Sequence, residues 1–223
     1  RLYAGILAEQ GDTRESGSDR LRACVSAGEA LPEEIGKRWK ALFGVDILDG
    51  IGSTEMLHIF LSNRPGEVRY GTTGRAVPGY DLRIVGESGE DVAPGEIGEL
   101  LVSGPSSAIA YWNNRAKSLA TFQGPWTRTG DKYVCDRDGF YTYAGRSDDM
   151  LKVSGIWVSP FEVESALQAH PKVLEVAVVA HPDSDDLIKP KAYVVLKDGV
   201  AAGEALVAEL QTFVKDRLAP YKY

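Results

Sequence analysis

The segment Asp49-Gly50-Ile51-Gly52-Ser53-Thr54-Glu55 brings glycines, hydroxyls and carboxylates together within a few positions. Glycines allow a backbone to approach a ligand closely, and neighbouring hydroxyls and amides can cradle a phosphate. The carboxylate of Glu55 is an oxygen ligand of the kind that Mg²⁺ shares with phosphates. Such a segment on its own is more often an ordinary turn, so its chemistry depends on what accompanies it.

Two later segments carry compatible chemistry. In Thr129-Gly130-Asp131 a carboxylate follows a predicted glycine turn, where it could hold a diol such as ribose. The segment 145–155 contains two cations, Arg146 and Lys152, and two acids, Asp148 and Asp149. A charged run of this kind is ordinarily a solvated linker, and that interpretation stays open for the segment taken alone.

The elements before residue 50 predict how the first of these segments is positioned. The side chains of residues 21–27 alternate in the pattern of a short strand, with Leu21, Ala23 and Val25 on one face. A second strand is predicted over 45–48. Between them a helix is predicted from Pro32 to Gly44. Its apolar positions at helical spacing are Ile35, Trp39, Leu42 and Phe43. If the two strands are parallel, loops 26–32 and 49–55 leave from the same carboxyl edge of a sheet, where α/β proteins bind ligands.

The pattern of predicted secondary structure changes twice after this βαβ unit. Residues 66–147 consist of short strands punctuated by glycine, with a hairpin signal at Asp138-Gly139, and predict a small antiparallel β-barrel. Beyond them a compact α+β unit is predicted, with a capping box at Ser159-Pro160-Phe161-Glu162 and strands over 173–180 and 191–196. Its last helix has apolar residues on one face, namely Leu206, Leu210, Phe213, Val214 and Leu218. The expected fold is therefore α/β, plus a β-barrel and a small α+β domain.

The composition of the chain argues against some classes of binding partner. The 223 residues carry a formal net charge of -7, which argues against nucleic acid or an anionic membrane as the main partner. Cys24 and Cys135 match no disulfide or metal spacing, so a reducing, cytoplasmic setting is expected. No apolar run approaches the roughly 20 residues that a membrane-spanning helix needs. Trp39 and Trp112 are both predicted to lie in the core.

The order of these segments resembles that of a known superfamily. Ile51-Gly52-Ser53-Thr54-Glu55, Thr129-Gly130-Asp131 and Gly145-Arg146-Ser147-Asp148 are similar to three core motifs of adenylate-forming enzymes, which include acyl-CoA synthetases, firefly luciferase and the adenylation domains of peptide synthetases. Further similarity lies in 98–105, in Tyr111-Trp112-Asn113 and in the ending 218–223. The resemblance covers the whole chain and implies the C-terminal part of the adenylate-forming enzyme fold.

The resemblance implies a role for each matching residue. The positions implied to bind ATP or AMP are Gly28, Glu29, Ala30, Asp49, Gly50, Ile51, Gly52, Ser53, Thr54, Asp131, Tyr143 and Arg146. Thr54 would bind the α-phosphate, Glu55 would hold Mg²⁺, and Asp131 and Arg146 would hold the ribose hydroxyls. Asp148 would be the hinge of a mobile domain, and Lys152 and Gly155 would act in the thioester-forming orientation, with Gly155 beside coenzyme A. Thr54, Glu55 and Lys152 are the implied catalytic residues.

The acyl substrate is implied by the same resemblance. The positions that match an acyl pocket are Ala27, Gly28, Ile51, Gly52 and His58, and the small residues among them leave room for a flat ring. The residues around them most resemble those of benzoate-CoA ligases and their hydroxybenzoate relatives. Benzoate or a substituted benzoate is therefore expected as the acid, together with ATP, Mg²⁺ and coenzyme A, and with a homodimer as a candidate assembly. The ordinary alternative for His58 is a hydrogen-bonded core histidine.

Two departures from the superfamily pattern predict that the chain is a fragment. The phosphate loop that normally lies far upstream and the catalytic lysine expected beyond Tyr223 have no counterpart here. The expected division is 1–147 as the end of a large adenylating domain, with an α/β part over 1–65 and the barrel over 66–147, followed by 148–223 as a mobile small domain. An adenylation domain that loads a carrier protein and a non-catalytic nucleotide-binding fragment are the alternative functions.

Overall fold

The computed structural model describes residues 2–11, 13, 17–153, 156–183 and 187–219. The chain divides into two compact units, Arg1–Tyr143 and Ala144–Tyr223. The predicted boundary at Asp148 lies in the turn that follows the unit boundary and stays a prediction. Within the described ranges, no helix has both the length and the apolar character required to cross a membrane.

The first unit begins with an α/β segment. Its elements are α1 (Leu2–Gln10), β1 (Cys24–Ser26), α2 (Glu33–Phe43), β2 (Ile47–Gly52), β3 (Ile59–Ser62) and β4 (Arg75–Ala76). β1 and β2 are parallel, with Ser26 paired to Asp49, and the sheet order is β1-β2-β3-β4. Leu7, Trp39 and Ile47 form the core beneath α2. The predicted βαβ unit is therefore confirmed, as is the core position of Trp39.

The helix α2 has the ends that its sequence predicts. Pro32 precedes its first residue, and Glu33 and Glu34 lie in the first turn, where carboxylates interact favourably with the helix dipole. At the other end Gly44 has φ 71°, and its N–H donates to the carbonyl of Lys40. Only a residue that adopts the left-handed region without strain fits this C-terminal cap.

Two details of this segment differ from the predictions. The first strand is shorter than 21–27, and both Leu21 and Val25 are exposed, because the side chain that β1 directs towards the core is that of Cys24. Residues 49–52 are not a loop. They extend β2, because β3 returns antiparallel alongside it and pairs Gly50 with Ser62 and Ile51 with Leu61. The connecting loop is 53–58.

The rest of the first unit is a curled antiparallel sheet. Its elements are β5 (Asp81–Val85), β6 (Ile97–Ser103), α3 (Arg115–Thr121), β7 (Phe122–Gln123), β8 (Trp126–Cys135) and the start of β9 (Tyr141–Arg146). The strand order is β5-β6-β8-β7, with β9 also paired to β8, and the sheet forms a half-barrel. A turn at Asp138-Gly139 joins β8 to β9, with Gly139 at φ 80°, as the hairpin signal predicted. Phe60, Leu100, Val102 and Tyr133 are prominent in the core of this sheet.

Two sequence expectations in this region are wrong. Thr129-Gly130-Asp131 is not a turn but a bulge inside β8, since Glu99 pairs with Lys132 and Leu101 with Arg128, which leaves the three residues opposite Leu100. Trp112 is 98% exposed instead of lying in the core. It occupies a turn before α3, and the aromatic residue of that segment that packs inward is Tyr111, whose ring lies 5.3 Å from that of Phe122.

The second unit has the predicted α+β composition. After the end of β9 its elements are β10 (Leu151–Val153), β11 (Ile156–Val158), α4 (Pro160–Gln168), β12 (Val173–Pro182), β13 (Ile188–Leu196) and α5 (Glu204–Lys215). β10 and β11 form one antiparallel pair, and β12 and β13 form another. The hydroxyl of Ser159 accepts the N–H of Glu162, as the capping box requires. Val163, Leu167, Leu206, Leu210 and Val214 are the helix residues of the core.

Candidate active site

The parallel pairing of β1 and β2 places Ser26, the last residue of β1, beside Asp49 in the middle of β2. Asp49 is only 6% exposed, and its carboxylate accepts hydrogen bonds from the Ser26 hydroxyl and the Leu31 N–H. Among the described residues, its Oδ1 atom has no hydrogen-bond partner. Burial raises the pKa of Asp49 to about 7, although the two hydrogen bonds oppose this rise. The sheet therefore holds, beside the end of β1, a buried carboxyl group with one acceptor that the described residues leave unsatisfied.

Tyr133 lies near three of the predicted nucleotide residues, and the sequence motifs did not reveal it. Its side chain is 1% exposed, its hydroxyl lies 3.3 Å from Thr73 Oγ1, and its ring lies 5.5 Å from that of Tyr143. Burial raises the pKa of Tyr133, and the nearby charges of Asp131 and Asp49 raise it further. The structure thus brings Asp49, Asp131 and Tyr143 together around one buried phenol. The only sequence signal was the alternation of β8, which puts Asp131 and Tyr133 on the same face.

The loop 53–58, here called the Glu55 loop, presents a second carboxylate. Glu55 Oε1 accepts a 2.5 Å hydrogen bond from the hydroxyl of Tyr111, and its backbone carbonyl accepts the N–H of Ala108 at 2.7 Å. Partial burial raises the pKa of Glu55, but hydrogen bonds from Tyr111, its own N–H and Ser53, together with the charge of Lys117, outweigh it. The pKa consequently lies below the usual value of 4.5. Glu55 is therefore ionised at neutral pH, which is the form that binds a metal ion.

The surroundings of Glu55 indicate what kind of metal site could form. Within the described part of the chain, no group of three or more His, Cys, Asp or Glu side chains could enclose a metal ion. Mg²⁺ does not require an all-protein cage, because it is commonly held by one or two carboxylates together with substrate phosphates and water. A single oriented carboxylate beside the hydroxyls of Ser53 and Thr54 fits that pattern.

His58 ends the Glu55 loop and has partners on both ring nitrogens. Its Nδ1 lies 2.8 Å from the carbonyl of Ile59, which can only accept, so Nδ1 carries a proton. Its Nε2 lies 3.1 Å from the hydroxyl of Tyr80, which in turn lies 2.7 Å from Ser106 Oγ. The imidazole is exposed, so the alternative of a core histidine is wrong. Sequence spacing did not predict Tyr80 or Ser106 as partners.

The glycines of β2 have a role that the sequence did not indicate. A Cβ atom at Gly52 would lie 2.4 Å from the carbonyl oxygen of His58, and one at Gly50 would lie 3.1 Å from that of Leu61. The missing side chains therefore allow the chain that follows the loop to return along β2. Ile51, between them, is half-buried against the core of the curled sheet.

The remaining predicted residues are divided between the two units. Ala27, Gly28 and Glu29 are exposed in the turn after β1, with Gly28 at φ 90°, and Ala30 is half-buried. Thr54 is exposed in the Glu55 loop. In the second unit, Arg146 is exposed at the end of β9, Asp148 is exposed in the next turn, and Lys152 is exposed on β10 with Nζ 5.2 Å from the Trp157 ring centroid. Gly155 lies outside the described residues.

The fold and these motifs define the class of protein. Residues 1–112 match the sequence profile of the family described as AMP-binding enzyme, and residues 162–223 match that of the AMP-binding enzyme C-terminal domain. The chain belongs to the AMP-binding enzyme family. The resemblance to adenylate-forming enzymes is thereby confirmed.

Individual relatives are similar over most or all of the chain. A benzoate–CoA ligase of Thauera aromatica is 65% identical over 223 residues, which are 100% of this chain and 42% of that protein. The crystal structure of a benzoate CoA ligase from Burkholderia xenovorans LB400 is 60% identical, with a TM-score of 0.85 over 91% of this chain and 40% of that one. The anthranilate CoA ligase AuaEII, crystallised with anthranoyl-AMP, is 53% identical, with a TM-score of 0.86 over 91% of this chain and 39% of that one. The chain thus spans about two fifths of the length of these relatives. Its fold is the C-terminal part of the adenylate-forming enzyme fold, as the motif resemblance predicted.

Proposed function

We propose that this chain acts within an ATP-dependent aryl-CoA ligase that activates benzoate or a substituted benzoate. The observation that carries the proposal is the grouping of Asp49, Asp131 and Tyr143 around Tyr133 in a chain that is 65% identical to a benzoate–CoA ligase. These side chains supply acceptors for an adenosine, and the Glu55 loop supplies a carboxylate for the metal that accompanies its phosphates.

The reaction has two steps. In the first, an oxygen of the aryl carboxylate attacks the α-phosphorus of ATP, the bond from that phosphorus to the bridging oxygen breaks, and pyrophosphate leaves. In the second, the thiol sulfur of coenzyme A attacks the acyl carbon of the acyl-AMP, AMP leaves, and the thiol proton passes to solvent. Both reactants of the first step are anions, so the protein must hold them in line and offset their charges.

The adenosine residues act by orientation. Asp49 Oδ1, a buried acceptor that none of the described residues supplies with a donor, would be matched by the amino group of adenine. Gly28, Glu29 and Ala30 follow directly after β1. Asp131 would accept hydrogen bonds from the ribose hydroxyls, and Arg146 would donate to the ribose oxygens. Tyr143 would lie beside the base. Satisfying a buried acceptor typically contributes about 1–3 kcal/mol, so Asp49 has a thermodynamic reason to prefer an occupied site.

The Glu55 loop would hold the phosphate end of the nucleotide. Glu55 would be the protein ligand of Mg²⁺, and the hydroxyls of Ser53 and Thr54 would contact the α-phosphate. When bound, the metal ion supplies positive charge that offsets the charge of the phosphate oxygens. The lowered pKa of Glu55 supports this assignment, because the carboxylate stays ionised without the metal.

The acid would bind next to the same loop. Ala27, Gly28 and Gly52 present little side-chain bulk, Ile51 is apolar, and His58 offers a polar edge whose ring is held by Tyr80. A flat aromatic acid fits such surroundings better than a long flexible chain. The named activity of the Thauera relative, benzoate–CoA ligation, supports benzoate as the first acid to test.

The second unit would serve the thioester step. Lys152 on β10 and Gly155 just beyond it would line the path of the coenzyme A thiol, and Asp148 would be the hinge about which residues 148–223 turn. These three roles rest on the motif resemblance. A cytoplasmic location and a homodimer likewise stay predictions.

A panel of acids offered to a full-length protein containing this sequence tests the proposal. Pyrophosphate release with ATP and Mg²⁺ should be fastest with benzoate or hydroxybenzoate and slow with octanoate, and the acid should be converted to its CoA thioester. Faster release with octanoate would overturn the aryl assignment. Release without thioester formation would favour an adenylation domain that loads a carrier protein, and no release with any acid would favour a non-catalytic nucleotide-binding protein.

A further inference from the structure

A segment far along the chain holds the Glu55 loop at three points. Ser106 Oγ donates to the carbonyl of Met56 at 2.7 Å, and the N–H of Ala108 donates to the carbonyl of Glu55 at 2.7 Å. The third contact is the 2.5 Å hydrogen bond from the Tyr111 hydroxyl to Glu55 Oε1, across 56 positions of sequence. Residues 106–111 therefore fix both the backbone of the loop and the carboxylate that it presents.

The position of Tyr111 is itself determined by the helix that follows. Its N–H donates to Ser118 Oγ at 2.9 Å, and its ring lies 5.3 Å from the ring of Phe122. The ammonium of Lys117 lies 4.6 Å from the Tyr111 ring centroid. The side chain of Asn114 caps α3 by accepting the N–H of Lys117. Because the phenol is held from several sides, its hydroxyl can orient a carboxylate instead of following it.

A flexible glutamate has several rotamers, and only some of them point the carboxylate at a given ligand. Fixing one carboxylate oxygen through a charge-assisted hydrogen bond removes most of that freedom before any ligand arrives. Carboxylates that bind metal ions are commonly held in this way, and removing the outer partner typically lowers metal affinity about 10- to 100-fold.

We propose that Tyr111 is a positioning residue that orients Glu55 for Mg²⁺, with Lys117 supporting the pair. The proposal rests on the proposed function, because it takes Glu55 as the metal ligand. It gives a function to the Tyr111-Trp112-Asn113 motif, in which the exposed Trp112 makes no comparable contact with the Glu55 loop among the described residues.

The variant Tyr111→Phe, made in a full-length protein containing this sequence, removes the hydroxyl and keeps the ring against Phe122 and Lys117. Tyr70→Phe is the matched control. The Tyr70 hydroxyl also donates to a carboxylate, Asp46 Oδ1, at 2.8 Å, but that pair lies outside the candidate site. Both variants lose one tyrosine–carboxylate hydrogen bond, so a general effect on stability should appear in both.

Metal binding is measured in two ways. The first is the binding of Mn²⁺ in the presence of a non-hydrolysable ATP analogue, followed by electron paramagnetic resonance without turnover. The second is the Mg²⁺ concentration that gives half-maximal pyrophosphate release. For Tyr111→Phe we expect the Mn²⁺ dissociation constant and the half-saturating Mg²⁺ concentration each to rise by about 10-fold or more. The rate of pyrophosphate release at saturating Mg²⁺ should fall much less. Tyr70→Phe should resemble the parent protein in both.

Four outcomes would overturn the inference. If Tyr111→Phe and Tyr70→Phe have the same metal dependence, Tyr111 has no special relation to Glu55. If Tyr111→Phe lowers only the amount of active protein and leaves half-saturation unchanged, its role is structural. If Glu55→Ala binds Mn²⁺ as tightly as the parent protein, the metal role of Glu55 is wrong and the inference fails with it. If metal binding is weakened in Glu55→Ala but normal in Tyr111→Phe, only the positioning role of Tyr111 is rejected.

Discussion

Replacement of Asp49 by asparagine separates the charge of this side chain from its shape. Asparagine has nearly the same size and can still accept hydrogen bonds from Ser26 and Leu31 through its amide oxygen. It cannot ionise. The wild-type carboxyl group is almost fully buried, with Oδ1 lacking a partner among the described residues, so ionisation has a cost that the variant does not share.

The size of that cost follows from the pKa. Burial raises the pKa of Asp49 from an ordinary 3.8 to about 7. Between these values the folded protein keeps a proton that the unfolded chain has released, so stability falls as pH rises through this window and changes no further above it. At 1.36 kcal/mol per pKa unit, the difference of about 3 corresponds to an upper loss of about 4 kcal/mol.

Urea unfolding of wild type and Asp49→Asn at pH values of about 5, 6, 7 and 8 measures this effect. The difference between the two proteins cancels the other titrating groups. As the pH rises from 5 to 7, the free energy of unfolding of Asp49→Asn should increase relative to that of wild type by about 2–3 kcal/mol. A difference that stays constant with pH would refute the reasoning, because it would mean that Asp49 ionises in the folded protein as easily as in the unfolded chain.

A neighbouring carboxylate provides the control with the opposite sign. Burial raises the pKa of Asp46, but hydrogen bonds from Lys40 and Tyr70 and the charge of Lys40 outweigh it, so the pKa lies below 3.8. Its stabilisation is present above the unfolded pKa and is lost as pH falls through the lower folded value. Asp46→Asn should therefore be less stable than wild type at neutral pH, whereas Asp49→Asn should be more stable.

Three further changes test other parts of the structure. Gly52→Ala places a Cβ atom 2.4 Å from the His58 carbonyl oxygen and should cost about 1–3 kcal/mol in urea unfolding; Gly5→Ala, whose added Cβ meets nothing within 4 Å, is the control, and equal stability of the two variants would contradict the contact. Ala27→Leu in a full-length protein adds bulk to the predicted acyl pocket, at a position that does not demand a positive φ. It should therefore reduce benzoate-dependent pyrophosphate release more than it reduces the affinity for ATP; an unchanged benzoate KM would remove this residue from the acyl pocket. Asp148→Pro restricts φ at the predicted hinge and should slow thioester formation more than acyl-AMP formation; equal losses in the two half-reactions would show that this residue is not the hinge.

Local sequence signals determined the elements that need only their own residues. Pro32, Gly44 and the apolar spacing between them predicted α2, and Asp138-Gly139 predicted the hairpin between β8 and β9. In these cases the information lies within one turn of helix or one pair of strands, so neighbouring residues suffice. The three ordered motifs identified the family for a related reason, because each is a short contiguous segment with its own chemistry.

Only the tertiary structure decided which residues contact the predicted site. The sequence favoured a ligand as the reason for the glycines of β2, whereas the structure shows that the returning chain leaves no room for a Cβ atom at Gly52 and little room at Gly50. Tyr133 pairs its hydroxyl with Thr73 and lies near the charges of Asp49 and Asp131, and Tyr111 holds Glu55 from 56 positions away. These contacts join β2 and its loop to distant parts of the chain. No local propensity encodes them, because sheet pairing and the packing of the curled sheet bring their partners together only once the whole unit has folded.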